Sequence, residues 1–201
     1  MEILLASHNK NKIKELETLL SAAFPQIRIL SMSDVGFTDA IVEDGMTFEE
    51  NALIKSRFGA AHGYITVADD SGLMVDALCG APGVYSARYA GEPCSDEKNN
   101  RKLLDALFGV PPEKRGAKFV SVVTSSFPDG RPEIIAYGEC RGRILTAPRG
   151  DGGFGYDPLF YYPPFDLTFA QMSDTEKNEI SHRGAAMRNF AARFSYIVKS
   201  K

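Results

Sequence analysis

Two adjacent carboxylates, Asp69 and Asp70, directly follow residues 65–68, a mostly apolar run that is typical of a short buried strand. Carboxylates at the end of a strand are hard oxygen ligands suited to Mg²⁺. If the strand continues through the pair, the two side chains point to opposite faces, and one of them could share a metal with Glu43. The alternative is a surface turn, because Asp-Asp-Ser-Gly also favours turns.

A second group of polar residues lies where a predicted strand at 3–6 leads into a predicted helix. Ser7, Asn9, Lys10 and Lys12 occur there within six positions. The N–H groups and the dipole of a helix N-terminus attract phosphate, so this loop is a candidate phosphate site. It is not a P-loop, since the pattern G-x-x-x-x-G-K-[ST] is absent. A solvated basic first turn is the alternative.

The segment FGYDP, residues 154–158, places aromatic rings and a carboxylate after a glycine-rich approach. An aromatic face can stack on a nucleotide base, and Asp157 can accept hydrogen bonds from ring N–H groups. The segment could equally be a tight entry to a strand, with Pro158 as its stop.

Cationic and polar donors cluster near the C-terminus, at Lys177 and at Ser181-His182-Arg183. The planar guanidinium of Arg183 suits a phosphate or the edge of a base. Most lysines and arginines of a terminal helix are merely solvated, which is the alternative here.

Several elements must position these side chains. Apolar residues at helical spacing predict a helix after the first loop, and Thr47 with Glu50 forms a capping box that opens a helix containing Lys55. A possible strand covers 27–30. The run 72–91 is rich in glycine and proline and predicts a long structured loop, and no chemistry is assigned to its residues 80–91. Ser95 predicts the start of another helix.

The second half predicts a hairpin and a helical tail. Residues 119–127 and 133–145 are β-rich and are separated by Pro128-Asp129-Gly130. Ser173 with Glu176, and then Ser181, are candidate helix caps. Met187, Phe190, Phe194 and Ile197 give the last helix its apolar face. Strands and helices alternate before the hairpin, so the predicted fold class is α/β with a mixed sheet.

Composition limits the possible functions. The chain of 201 residues can bury one core, as one domain or as two closely packed lobes. Its net charge of −3 argues against a protein that coats nucleic acid. No apolar run is long enough to span a membrane and the start is no secretory signal, so we expect no membrane partner and a cytoplasmic location. Three dispersed cysteines predict thiols rather than disulfides or a zinc site.

Five blocks, in order, carry a family resemblance: ASHNKNKIKEL, EDGMTFEENALIKS, ADDSGLMVDALCGAPGVYSARYAG, GGFGYDPLF and EKNEISHRGAA. Together they closely resemble the inosine triphosphate pyrophosphatase family, the dITP/XTP pyrophosphatases. The resemblance spans nearly the whole chain and implies a single domain over residues 1–201. It also implies an elongated mixed α/β sheet flanked by helices, two lobes with the active-site cleft between them, and a homodimer.

The resemblance also implies roles for individual residues. It makes Asp70 the catalytic aspartate, Glu43 and Asp70 the Mg²⁺ ligands, and Asp69 a helper, with Ser71 beside the phosphates. The triphosphate would be held by the first loop and neutralised by Lys55 and Lys177, whereas the base would be read by the FGYDP block and the end of the chain. The first-loop residues are Ser7, His8, Asn9, Lys10, Asn11 and Lys12, and the base residues are Phe154, Gly155, Tyr156, Asp157, His182 and Arg183. The family usually has Thr-Gly-Asn where this chain has Ser7-His8-Asn9.

The implied reaction is hydrolysis of deaminated purine nucleoside triphosphates to monophosphate and pyrophosphate. Two other interpretations stay open. A pyrophosphatase for other modified or pyrimidine triphosphates would keep the phosphate and metal residues but change the base block. A nucleotide sensor without catalysis would bind tightly and would need no metal carboxylates such as Glu43, Asp69 and Asp70.

Overall fold

The computed structural model describes residues 1–39 and 41–199, and the side chains of residues 197–199, including the predicted apolar Ile197, lie outside the described part. Seven strands are present: β1 Glu2–Leu5, β2 Arg28–Ser31, β3 Thr66–Val75, β4 Gly116–Ser126, β5 Ile134–Ile144, β6 Phe160–Tyr162 and β7 Leu167–Thr168. The α-helices are α1 Lys10–Ala23, α2 Phe48–Ala61, α3 Asp96–Ala106, α4 Asp174–Ile180 and α5 His182–Lys199.

The strands form one mixed sheet in the order β2-β1-β3-β4-β5-β6-β7. Strand β1 pairs in parallel with β2 and with β3, whereas β6 pairs antiparallel with β5 and with β7. Parallel pairs need long crossovers, and α1 and α2 lie in the crossovers of the first three strands. The prediction of an α/β fold with a mixed sheet is confirmed. The elongated outline and the cleft between lobes stay predictions.

The chain divides into two units, each with its own apolar core. The first unit comprises Met1–Asp70, Ser121–Gly138 and Arg183–Lys201. Its main core joins strand residues such as Ile3 to Leu16 and Leu20 of α1 and to the apolar face of α5. The buried α5 residues are Met187, Phe190 and Phe194, as the spacing predicts.

The second unit comprises Ser71–Val120 and Glu139–His182. Its core packs Leu103 and Leu107 of α3 against strand residues that include Phe119 and Phe160. Phe169 stacks on Phe119, with ring centroids 5.7 Å apart. Each unit therefore has the interior needed to fix the side chains on its own surface.

Strand β3 corrects two expectations. It runs from Thr66 to Val75 and so includes the carboxylate pair and the first residues of the predicted 72–91 loop. The loop prediction is wrong for residues 72–75, because Leu73 and Val75 are fully buried and extend the strand despite Gly72. Two short 3₁₀ segments, Asp76–Leu78 and Gly83–Arg88, follow. The surface-turn alternative for the carboxylates is also wrong.

The predicted helix starts are present. Thr47 with Glu50 caps α2 and Ser173 with Glu176 caps α4, each as a complete capping box, and Ser95 caps α3. The three cysteines are thiols outside any disulfide. None of the helices in the described residues is long and apolar enough to cross a membrane.

Candidate active site

The carboxylates of Asp69 and Asp70 are both buried, and each has its own set of partners. The two residues are 1% and 7% exposed, respectively. Successive strand residues point to opposite faces, which separates the two sets of contacts. We call Glu43, Lys55, Asp69 and Asp70 the carboxylate cluster; all four belong to the first unit.

Asp69 is surrounded by donors. The hydroxyl of Ser121 donates to its Oδ1 at 2.5 Å, while Lys12 Nζ and Arg183 Nη2 each lie 3.3 Å from its Oδ2. Arg183 also pairs with Glu15. Burial raises the pKa of Asp69, but Arg183, Lys12 and the Ser121 hydroxyl outweigh burial and hold this pKa below its ordinary value. Asp69 is therefore an ionised anchor for two cations.

Asp70 shares one cation with Glu43. Lys55 Nζ lies 3.1 Å from Asp70 Oδ1 and 2.9 Å from Glu43 Oε2. Burial raises the pKa of Asp70 above its usual value, and Lys55 and Lys12 oppose that shift. Burial would lower the pKa of Lys55, but Asp70 and Glu43 reverse this effect and raise it. The ammonium of Lys55 thus lies between the carboxylates of Asp70 and Glu43, the two residues that the family resemblance assigns to a metal.

The donors of the carboxylate cluster fit Mg²⁺. Among the described residues no group of three or more His, Cys, Asp or Glu side chains could hold a metal. Mg²⁺ does not need such a cage, because it usually keeps several waters and binds one or two carboxylates together with substrate phosphates. Asp70 and Glu43 already approach a single positive charge, which is the arrangement that two ligands of one cation require.

The first loop is shaped by Asn9, which caps α1. Its Oδ1 accepts from the N–H groups of Asn11 and Lys12 at 3.0 and 3.1 Å, and its own N–H donates to Ser7 Oγ at 3.2 Å. Two of the N–H groups at this helix start are therefore engaged within the loop. The sequence analysis missed this cap, although Asn before an amphipathic helix is a known signal for one. Lys10 is exposed.

His8 occupies the position where the family usually has glycine. Its ring Nε2 lies 3.2 Å from the backbone oxygen of Asp39. Outside glycine, the described residues with positive φ are Cys79 and Asp166. His8 therefore avoids the left-handed region, and the loop needs no glycine at this position.

The second unit contains the FGYDP block as a turn, and β6 begins only at Phe160. The N–H of Phe154 donates to Asp157 Oδ2 at 2.9 Å, and Lys177 Nζ donates to the same oxygen at 2.6 Å. The Lys177 ammonium also lies 4.7 Å from the ring centroid of Phe154. The carboxylate of Asp157, the ammonium of Lys177 and the half-buried ring of Phe154 are thus held together.

Tyr156 has a structural position in this turn. Its ring is buried in the core of the second unit, and its hydroxyl donates to the backbone oxygen of Ser86 at 2.8 Å. Burial raises the pKa of the Tyr156 phenol. Phe154, and not Tyr156, is therefore the candidate stacking ring.

The predicted C-terminal cluster divides between the units. Lys177 and His182 belong to the second unit and Arg183 to the first. The His182 ring stacks on Phe119 with centroids 4.7 Å apart. All three side chains are buried, so the alternative of merely solvated cations is wrong. Ser71 follows Asp70 on β3 and is half-buried.

Glu15 and Ser121, which contact Arg183 and Asp69, are not among the residues predicted from the sequence. Glu15 lies on α1 and reaches Arg183, and Ser121 lies on β4 and reaches Asp69. Both contacts join residues far apart in the chain, at separations of 168 and 52 positions. Nothing in the local pattern around either residue indicates such a partner.

Comparisons with known proteins identify the family of this chain. The Ham1 family model matches residues 3–193. A dITP/XTP pyrophosphatase of Lactobacillus acidophilus is 52% identical over 93% of this chain and 94% of its own, and one of Desulforamulus reducens is 50% identical over 94% and 92%.

Two solved structures of Ham1 proteins also resemble this chain closely. The Ham1 protein of Staphylococcus aureus superposes with a TM-score of 0.87 at 42% identity, covering 97% of this chain and 98% of its own. A HAM1 protein from Coxiella burnetii also gives 0.87, at 39% identity and with 98% and 99% covered. The resemblance inferred from the five sequence blocks is confirmed, and the chain belongs to the Ham1 family.

Proposed function

We propose that this protein is a nucleoside-triphosphate pyrophosphatase that hydrolyses ITP, dITP and XTP to the monophosphate and pyrophosphate. Near 50% identity to proteins named dITP/XTP pyrophosphatase supports this activity. The observation that carries the proposal is the carboxylate cluster, in which Lys55 joins Asp70 and Glu43. Such an enzyme keeps deaminated purines out of DNA and RNA.

Glu43 and Asp70 are the proposed Mg²⁺ ligands. When bound, the ion supplies positive charge that stabilises the charge developing on the phosphate oxygens. A bound cation would also compete with Lys55 for the two carboxylates. Lys55 would then be released to pair with a phosphate oxygen.

The residues of the first unit carry the proposed phosphate chemistry. Lys12 and Lys55 neutralise the triphosphate, and the Ser7–Lys12 loop holds it at the start of α1. The carboxylate of Asp70 accepts a proton from the water that attacks the α-phosphorus in line, and pyrophosphate leaves. Asp69 contributes indirectly, because it fixes Lys12.

The residues of the second unit carry the proposed base recognition. Phe154 stacks on the purine, while Asp157 and His182 supply polar groups around it. Lys177, which pairs with Asp157, is the cation that the resemblance assigns to the triphosphate. Arg183, which the resemblance assigns to the base, belongs to the first unit and pairs with Asp69 and Glu15. ITP and XTP carry an oxygen at C6 where ATP carries an amino group, so a pocket that donates to this oxygen disfavours ATP. Rejection of GTP requires a further contact at position 2.

Two further properties belong to the proposal. The homodimeric assembly comes from the family resemblance alone, whereas the cytoplasmic location comes from the sequence pattern. The proposed partners are therefore a nucleotide and a second copy of the chain, without nucleic acid or membrane.

The test is pyrophosphate release from ITP, XTP, dITP, GTP and ATP, with and without Mg²⁺. The expected result is metal-dependent release confined largely to the three deaminated purines. Equal release from all five nucleotides would reject the base assignment. Tight binding of ITP without release would instead identify a sensor, and preferential release from pyrimidine triphosphates would identify a related pyrophosphatase.

A further inference from the structure

Helix α3 holds the 153–157 turn through two side chains. The N–H of Gly155 donates to Asp96 Oδ2 at 2.7 Å, and Asn100 Nδ2 donates to the carbonyl oxygen of Gly155 at 2.8 Å. Asp96 and Asn100 are four positions apart and so lie on one face of the helix. Both backbone polar groups of Gly155 are therefore fixed by a single rigid element.

Gly155 is a position in this turn that depends on external support. Its φ is +62°, in the left-handed region that glycine adopts without strain. Glycine also has the largest backbone freedom of any residue, so the turn would be mobile here without the two bonds from α3. The peptide that follows Phe154 would share that mobility.

The neighbours of Gly155 are the groups proposed to contact the base. Phe154 presents its ring beside Lys177, and its N–H donates to the carboxylate that Lys177 also binds. A rotation at Gly155 therefore shifts both the ring of Phe154 and the carboxylate of Asp157. Polar groups that discriminate between bases must be held closely in place, because small displacements weaken hydrogen bonds steeply.

The same helix also fixes a second segment. Asn99 Nδ2 donates to the oxygen of Ala87 at 2.9 Å, and the N–H of Ala90 donates to Asn99 Oδ1 at 2.7 Å. This segment includes Ser86, whose backbone oxygen accepts from the hydroxyl of Tyr156. Helix α3 thus supports the 153–157 turn in two ways: Asn100 contacts it directly, and the adjacent Asn99 acts through residues 86–90. Residues 86–90 belong to the segment to which no chemistry was assigned from the sequence.

The amide of Asn100 is oriented by its contact with Gly155. The bond from Nδ2 to the Gly155 oxygen is its one side-chain hydrogen bond among the described residues. Its buried Oδ1 has no protein partner there.

From these contacts we infer that Asp96 and Asn100 are positioning residues that set base selectivity by fixing Gly155. The inference rests on the proposed function, because it assumes that the turn binds the purine. Neither residue belongs to the proposed phosphate or metal machinery. Their loss should weaken recognition of the base and leave recognition of the phosphates unchanged.

The experiment uses the full chain with Asp96→Ala, Asn100→Ala and the conservative Asp96→Asn, whose amide oxygen can still accept from Gly155. Glu97→Ala is the matched control, since Glu97 is also an exposed acid in the first turn of α3. We measure kcat/KM for ITP and the inhibition constant of tripolyphosphate, which lacks a base. Each alanine variant should lower kcat/KM for ITP about tenfold, as expected for one lost hydrogen bond, and change the tripolyphosphate constant less than about twofold.

A second readout does not depend on substrate. Exchange of the Gly155 amide hydrogen, followed by NMR, should be about tenfold faster in Asp96→Ala than in the wild type. It should return towards the wild-type rate in Asp96→Asn and should not change in Glu97→Ala. A urea titration of each variant checks that the global stability remains high enough for the comparison.

The outcomes separate the inference from the proposed function. Selective loss on ITP together with faster Gly155 exchange supports the inference. Equal loss on ITP and tripolyphosphate, or unchanged kinetics despite faster exchange, overturns it while the proposed function stands. A wild-type protein that releases no pyrophosphate from any nucleotide overturns the proposed function, and the inference with it.

Discussion

The carboxylate cluster and the 153–157 turn are held in place by different kinds of contact. In the cluster, side-chain charges pair with one another, as in the contacts of Lys55 with Asp70 and Glu43. In the turn, side chains mostly bind backbone groups, as Asp96 and Asn100 bind Gly155. The first region depends on charge, whereas the second depends mostly on backbone contacts and has one buried charge pair, Lys177 with Asp157.

This difference suggests which changes each region tolerates. Removing a charge from the cluster leaves an opposite charge buried without its partner, which costs several kcal/mol. Removing a hydrogen bond from the turn costs about 1 kcal/mol and mainly loosens the geometry. Substitutions in the cluster should therefore abolish turnover or unfold the chain, whereas those in the turn should alter selectivity.

The largest effect is expected for Asp70→Asn. The amide keeps the shape of the side chain and can still accept from Lys55, but it cannot accept a proton from water or bind Mg²⁺ strongly. Turnover of ITP should fall by about a thousandfold or more, while binding of ITP stays measurable. Pyrophosphate release and calorimetric titration measure the two quantities, and turnover within about tenfold of the wild type would remove Asp70 from the mechanism.

The next largest effect is expected for Asp69→Ala, on stability. Lys12 and Arg183 lose a shared buried partner, so the free energy of unfolding should fall by about 3–5 kcal/mol. Urea denaturation followed by circular dichroism measures the change. The matched control is Glu139→Ala, which removes a more exposed partner of Lys118 and Arg141 and should cost less than about 1 kcal/mol. Equal costs for the two variants would contradict the assignment of Asp69 as an anchor.

A smaller, selective effect is expected for His182→Ala. Its ring packs on Phe119 in the second unit, so its loss should lower kcat/KM for ITP about tenfold without weakening inhibition by tripolyphosphate. Lys10→Ala, in the first loop, is the variant for comparison. It should lower kcat/KM for ITP and weaken inhibition by tripolyphosphate to the same extent. If His182→Ala weakened the use of ITP and the inhibition by tripolyphosphate equally, His182 would be assigned to phosphate binding instead.

Much of the fold could be predicted because its signals are local. The Thr47 and Ser173 capping boxes, the strand before Asp69 and the apolar face of α5 each depend on residues a few positions apart. The continuation of β3 to Val75 could not be predicted, since Ser71 and Gly72 favour a turn locally. Only burial of Leu73 and Val75 in the core of the second unit makes the strand longer.

The candidate site was predicted in its residue types but not in its partners. Adjacent aspartates indicate a charged site, yet Asp69 finds Arg183 at a separation of 114 positions. Similarly, the sequence shows Asp96 only as a helix-start residue, and its bond to Gly155 depends on how α3 packs in the second unit. Contacts of this kind depend on tertiary structure, and one sequence does not reveal them.

The smallest expected effects concern the two capping boxes, which allow a direct comparison of the two regions. Thr47→Ala and Ser173→Ala each remove an N-cap hydroxyl and should each cost about 1 kcal/mol of stability. The helices differ in length, because α2 has 14 residues and α4 has 7. The lysines also differ in position, since Lys177 is the fourth residue of α4, in its last turn, whereas Lys55 is the eighth residue of α2.

Fraying after loss of a cap is strongest near the start of a helix and matters more in a short helix. Ser173→Ala should therefore raise KM for ITP about threefold by loosening Lys177 from Asp157, whereas Thr47→Ala should leave KM nearly unchanged. Steady-state kinetics and urea titrations of both variants, side by side, measure the difference. Equal changes in KM at equal loss of stability would mean that the position of Lys177 is fixed by its contacts with Asp157 and Phe154, and not by the start of its helix.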